Sequence, residues 1–173
     1  MAVDSRSYSA AVNQKLLFAR KLLNLAKAYG DSNKHTAIAM AQSVVLQLYL
    51  VWNWHLQDIA NNYKVQDPSV INCADDLVTA LSADGKTPAE AMELQHLFIT
   101  EDTWVNDLMS AYQQLFRLPA TRKAQMDVDR LPLLSLDNAA TDQEIKWDLI
   151  PVVEWTEKMT ELVERHRDMM IEF

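Results

Sequence analysis

From Thr36 to Gln57 the chain reads TAIAMAQSVVLQLYLVWNWHLQ and contains no Asp, Glu, Lys or Arg. A helix this uncharged either crosses a bilayer or is buried inside protein, and the choice fixes what the rest of the chain can be. The run is long enough to span. Three features point to the interior instead. Gln42, Ser43, Gln47, Asn53, His55 and Gln57 are spread through it, and each is costly in hydrocarbon. The helical period continues beyond the run, to His35 on one side and to Ile59 and Tyr63 on the other. Every other helical stretch of the chain is amphipathic and needs an apolar surface to cover its stripe.

The period divides this helix into two faces. Ile38, Ala41, Val45, Leu48, Trp52 and Ile59 form a stripe of ordinary core residues. Ser43, Gln47, Leu50, Trp54, Gln57 and Asn61 recur at helical spacing on the remaining side, with Leu46 beside them. A solvated face would carry Lys and Glu. Loss of charge with a retained aromatic is instead the composition of an interface core. Leu46, Gln47, Leu50, Trp54 and Gln57 are therefore the expected interaction face, for a second copy or another protein. The competing expectation is that the chain covers this face itself.

Composition bounds the rest. At 173 residues and 49% apolar, the chain is sized for one domain with a real core. Only Gly30 and Gly85 are glycine, which favours helices over the glycine-consuming turns of sheets. Cys73 is the sole cysteine, so no internal disulfide is available, and the polar N-terminus lacks a signal-peptide pattern. A cytoplasmic setting is expected. Residues 1–64 hold seven Lys/Arg and three Asp/Glu, whereas residues 65–173 hold nine and 21. So acidic a majority of the chain makes nucleic-acid binding unfavourable and suggests a basic N-terminal hairpin beside acidic helices.

Punctuation gives the elements. A first helix spans about Ser7–Tyr29, with Gly30 as its stop, and the second spans about Asn33–Tyr63. Asp67-Pro68 reads as an N-cap with Pro at the first turn, opening a third helix that ends before Asp84-Gly85. Thr87-Pro88-Ala89-Glu90 reads as a capping box for a short fourth helix. Thr100-Glu101-Asp102 recaps a fifth that runs to about Phe116, and a last helix covers about Asp148–Met170. Between them, residues 118–147 contain Pro119 and Pro132 and show no long period. Such a segment is expected to lie across the bundle, anchored by Leu131, Leu133, Leu134 and Leu136. The fold class is thus an all-α single-domain bundle of five to six helices, with a long proline-bounded segment before the last.

No complete catalytic set is visible. Glu93-Leu-Gln-His96 matches half of a carboxylate-bridged di-metal site, but Ser32, Trp52 and Val163 stand three positions before the other histidines, so no second pair exists and no metal is expected. A helical ribonuclease needs an Arg with a His a few residues downstream; only Arg165-His166 comes near, and its members are adjacent. Two isolated glycines cannot form a phosphate-cradling loop, and no cofactor is implied. His55, close to Trp52 and Trp54, reads first as a packed core histidine, and Trp52 with His55 marks the place where a small-ligand or hydrolytic pocket would form. Arg117, Arg122 and Lys123 could contact an anion, although the C-terminal dipole of the fifth helix is the simpler use for them.

Several stretches carry a resemblance: Asn13-Gln14-Lys15-Leu16 followed by Phe18-Ala19, the apolar Leu46–Ile59 region, and Leu108–Pro119 (LMSAYQQLFRLP) with the later Leu131-Pro132-Leu133. Together they resemble a family of short, uncharacterised proteobacterial proteins, a domain of unknown function. The resemblance implies an all-helical cytoplasmic protein and brings no catalytic residue. Leu118-Pro119-Ala120 departs from the Pro-Pro pair expected at that turn. The functional expectation is a non-enzymatic interaction or self-associating module, with no membrane partner.

Overall fold

The computed structural model describes residues 7–118 and 147–171, and within them six α-helices and no strand. Helix α1 (Tyr8–Tyr29) starts where the Ser7 hydroxyl accepts the Ala10 N–H, and Gly30, at φ +33°, stops it by donating its N–H to the Ala26 carbonyl. A short 3₁₀ turn, Gly30–Ser32, leads to Asn33, whose side chain accepts the Thr36 N–H and caps α2 (Lys34–Asn62). Lys64 then takes the left-handed conformation at φ +60°, and Val65 donates back to the Ala60 carbonyl at 2.9 Å. The remaining helices are α3 (Ala74–Ala83), α4 (Ala89–Ile99), α5 (Trp104–Gln114) and α6 (Leu149–Ile171).

The expected third helix is split. Asp67 and Pro68 open only a 3₁₀ turn, Pro68–Val70, after which Ile71 turns extended to bury its side chain. Helix α3 begins afresh at Cys73. There the thiol accepts the Asp76 N–H, while the Asp76 carboxylate accepts the N–H groups of Asn72 and Cys73 at 3.0 and 3.2 Å. The capping box of this chain therefore lies at Cys73–Asp76, not at Thr87–Glu90. Pro88 is the N-cap of α4 without any side-chain bond, and Glu90 is buried, accepting the Tyr63 hydroxyl at 3.1 Å. A tertiary donor has taken the carboxylate that the local motif would have used. Likewise Thr103, not Thr100, caps α5.

Helix α2 is the axis of the bundle. At 29 residues it is about 43 Å long and packs against each of the other five helices, most extensively α1. By length and composition alone it could also cross a membrane; here its stripe of Ala41, Val45, Leu48, Trp52 and Ile59 is buried among Leu16 and Leu23 of α1, Leu77 of α3, Leu94 of α4, Leu108 of α5 and Met159 of α6. The anchors expected for the segment before α6 (Leu131, Leu133, Leu134 and Leu136), with Pro119 and Pro132, lie outside the described residues. At its edges Leu118 is exposed, and Trp147 packs on the core.

Because Leu48 is fully buried at the centre of that stripe, Leu48→Ala should destabilise the fold by about 2–5 kcal/mol, through lost transfer energy and the cavity left behind. Urea denaturation followed by circular dichroism would read the change directly.

Candidate functional site

The expected interaction face is partly open. Leu46 is 41% exposed and Leu50 and Trp54 are half-buried. Gln57 is taken by its own chain: its amide donates to the Ile71 carbonyl at 3.1 Å. The carboxamide oxygen of Gln47 is enclosed and meets no donor among the described residues. Helix α1 extends this face. Lys15 places its ammonium 5.5 Å from the ring centroids of both Phe18 and Trp54, so the two aromatics are neighbours across the hairpin. Phe18, Leu22, Leu25 and Tyr29 follow at helical spacing on α1, with Phe18 38% and Leu25 48% exposed. The opposite flank of α1 is occupied by α6, where Arg20 approaches Glu164 (3.9 Å) and Asn13 accepts from Arg167 (2.6 Å). The expected face took in α2 residues alone, whereas the exposed apolar surface also includes α1. The signal was available: α1 carries a second apolar stripe beside its core stripe of Val12, Leu16, Ala19, Leu23 and Ala26.

Trp52 and His55, expected to share a pocket, part company. Trp52 lines a cleft of about 310 Å³ between α2, the start of α3 and α5, whereas His55 faces α6 and lines no cavity described here. Of the three expected anion contacts, Arg117 lies just past α5 and is exposed, and Arg122 and Lys123 lie outside the described residues.

The histidines form the least expected arrangement. His55 of α2 and His166 of α6 are both fully buried, with Nε2 of His55 3.0 Å from Nδ1 of His166 and the rings nearly parallel. Nε2 of His166 is 3.0 Å from Oε2 of Glu93, whose other oxygen accepts from Arg165. A carboxylate can only accept, so His166 must donate from Nε2. Its Nδ1 is then an acceptor, and His55 must donate to it from Nε2. The chain of donors runs in one direction, from His55 through His166 to Glu93, and it ends at Nδ1 of His55, which is enclosed without a partner among the described residues. Burial, reinforced by His166 and Arg167, pushes His55 down to about 3. Burial also lowers His166, against the opposing pull of Glu93. Both rings are neutral near pH 7 and act as a tautomerically ordered hydrogen-bond chain.

Arg167 completes this end of the bundle. It donates to Asn13 and to the Ser9 carbonyl of α1 and approaches Asp58 of α2 at 3.8 Å. Burial raises the Asp58 carboxyl, and Arg167 opposes that shift. Glu93 thus serves His166 rather than His96, which is exposed and pairs with Thr100 at 3.1 Å. Among the described residues, no group of three or more His, Cys, Asp or Glu side chains is placed to hold a metal ion.

Fold and site together define an all-helical bundle with a polar lock at one end and an open apolar hairpin face. The chain belongs to a family described as "Family of unknown function (DUF6586)", which matches residues 7–173. No curated protein and no solved structure matches it.

The lock predicts the acid response. A histidine whose pKa is lower folded than unfolded leaves the native state unprotonated while the unfolded chain takes up a proton, so its stabilising contribution is full above about 6.5 and is lost as pH falls towards about 3 for His55. The charged groups facing the pair are Asp58, Glu90, Glu93, Arg165 and Arg167. A His55→Phe/His166→Leu double variant keeps all five. Urea midpoints measured between pH 7 and pH 4 should fall less steeply for that variant than for the parent, and equal slopes would contradict the assignment.

Proposed function

We propose that this protein is a non-enzymatic, self-associating helical module whose contact surface is the open side of the α1–α2 hairpin. The observation that carries this reading is the continuity of Phe18, Leu22 and Leu25 with Leu46, Leu50 and Trp54 across the hairpin, clamped at one end by Lys15. The size is adequate. A strip two helices wide (about 20 Å) and as long as the 22-residue α1 (about 33 Å) covers roughly 650 Å² per copy, near the ~800 Å² per partner of a stable complex.

Charge favours a second copy as the occupant. The chain carries −8 overall, yet the apolar centre of this strip holds no acid, and Lys15 and Lys21 are the cations on that side of α1. An isologous pair would lay an uncharged surface on itself without like-charge conflict, whereas a basic partner would be drawn to the acidic helices elsewhere. The setting we infer is the cytoplasm of a bacterial cell, supported by the single unpaired thiol.

Light scattering across a dilution series tests this. The parent should pass from dimer to monomer on dilution. Leu46→Arg, at an exposed position, and Trp54→Glu should each raise the dissociation constant by more than about tenfold, as expected for anchors near the centre of a contact. A parent that stays monomeric at every concentration, or a Leu46→Arg variant that dimerises like the parent, would overturn the reading.

A further inference from the structure

The cleft beside Trp52 is built differently from the other surfaces of this protein. It has about 310 Å³ of space, the small end of the range that accommodates organic ligands. Its walls come from four places that folding brings together: α2 (Tyr49, Trp52, Asn53), the loop entering α3 (Asn72, Cys73), α4 (Phe98) and α5 (Asn106, Tyr112). No Asp, Glu, Lys, Arg or His lines it, in a chain that is 23% charged. Such a lining excludes phosphates, carboxylates and ammonium groups, because a charge entering it would lose its hydration without gaining a counter-ion.

What the lining offers is aromatic surface and carboxamides. Tyr49 and Tyr112 stack with ring centroids 3.6 Å apart and planes within 6°, forming a rigid flat wall, and Trp52 and Phe98 add two further aromatic side chains. Asn72 and Asn106 are fixed in orientation. Each donates its amide N–H to a backbone carbonyl, Asn72 to Val70 at 2.7 Å and Asn106 to Thr100. One N–H of each is thereby spent while both lone pairs of the side-chain oxygen remain, so each asparagine offers the cleft more acceptor than donor capacity. Asn53 makes no hydrogen bond among the described residues and retains both a donor and an acceptor edge. Two fixed, acceptor-rich carboxamides, the unengaged amide of Asn53 and flat aromatic walls suit an uncharged planar heterocycle carrying an exocyclic amino group next to a ring nitrogen, the edge that adenine and cytosine present.

We propose that this cleft is a binding site for a neutral amino-substituted heteroaromatic ring of the nucleobase type, read by Asn53, Asn72 and Asn106 and stacked on the aromatic wall. It shares α2 with the hairpin face, Asn53 standing about two turns from Leu46, but none of its lining residues belongs to that strip, so its occupancy can be tested separately from self-association.

Cys73 supplies a direct readout, since it lines the cleft and is the only thiol in the chain. Alkylation of the full-length protein by iodoacetamide would be timed with increasing adenine, cytosine or uracil, the last lacking the amino group. In parallel, the side-chain amide signals of ¹⁵N-labelled protein would be followed by NMR. Adenine or cytosine should slow alkylation saturably and shift the Asn53, Asn72 and Asn106 amide signals, with uracil clearly weaker. Asn53→Leu, which should keep the parent's circular dichroism, should weaken binding by about tenfold, the effect of losing one well-made hydrogen-bond edge. Absence of amide shifts with both adenine and cytosine at millimolar concentration would overturn the proposal. So would equal binding of uracil, which would show that the edge is not read, and so would an Asn53→Leu variant that binds as tightly as the parent.

Discussion

Three consecutive side chains near the end of α6 hold the bundle together: Arg165 on Glu93 of α4, His166 on both Glu93 and His55 of α2, and Arg167 on Ser9 and Asn13 of α1 and beside Asp58 of α2. Successive residues of a helix point about 100° apart, so three in a row sweep some 200° of its circumference. A helix can engage three partners this way only if it lies in the groove between them. The polar triplet therefore sets the depth and rotation of α6 among α1, α2 and α4, where an apolar stripe alone would permit it to slide or turn. Its cost is the burial of two imidazoles and a carboxylate. That cost is offset because, among the described residues, the lock leaves only two buried side-chain atoms without a partner, Nδ1 of His55 and Nε of Arg167.

Much of this architecture was legible in the sequence, and the limits were physical. Stripes of apolar residues at helical spacing located α1, α2, α5 and α6 to within a few residues, because burial of a stripe is a local property of one helix. What failed were the decisions that depend on a residue's distant partner. Glu90 reads as half of a capping box until Tyr63, 27 residues away, takes its carboxylate. Asp67-Pro68 reads as the start of a long helix until Ile71 must turn aside to enter the core. The Glu93–His166 pair spans 73 residues, and no spacing rule reaches that far. One hint was nonetheless present: His55 and His166 both fall on the apolar stripes of their helices, and two buried imidazoles need partners.

The uneven charge of the chain has a modest structural role. Basic α1 does lie beside acidic α6, but the direct link is Arg20–Glu164 at 3.9 Å between largely exposed side chains, a contact of little worth in water. The charge that matters is partly buried: Arg167, which reaches the backbone and side chain of α1 and the carboxylate of Asp58 together. Here a few well-placed groups outweigh the overall balance of the two halves.

Helix α1 shows how structure and proposed function share one element without conflict. Its core stripe, Val12 to Ala26, faces the bundle, and its polar flank, Asn13 and Arg20, meets α6. A third side, Phe18 to Tyr29, remains apolar and exposed or half-buried, and it is the surface assigned above to the proposed contact. Because the lock lies on the opposite flank, the open face can change occupancy while the bundle stays closed. That separation is what the proposed reversible association requires: the residues of the lock are not those of the proposed contact.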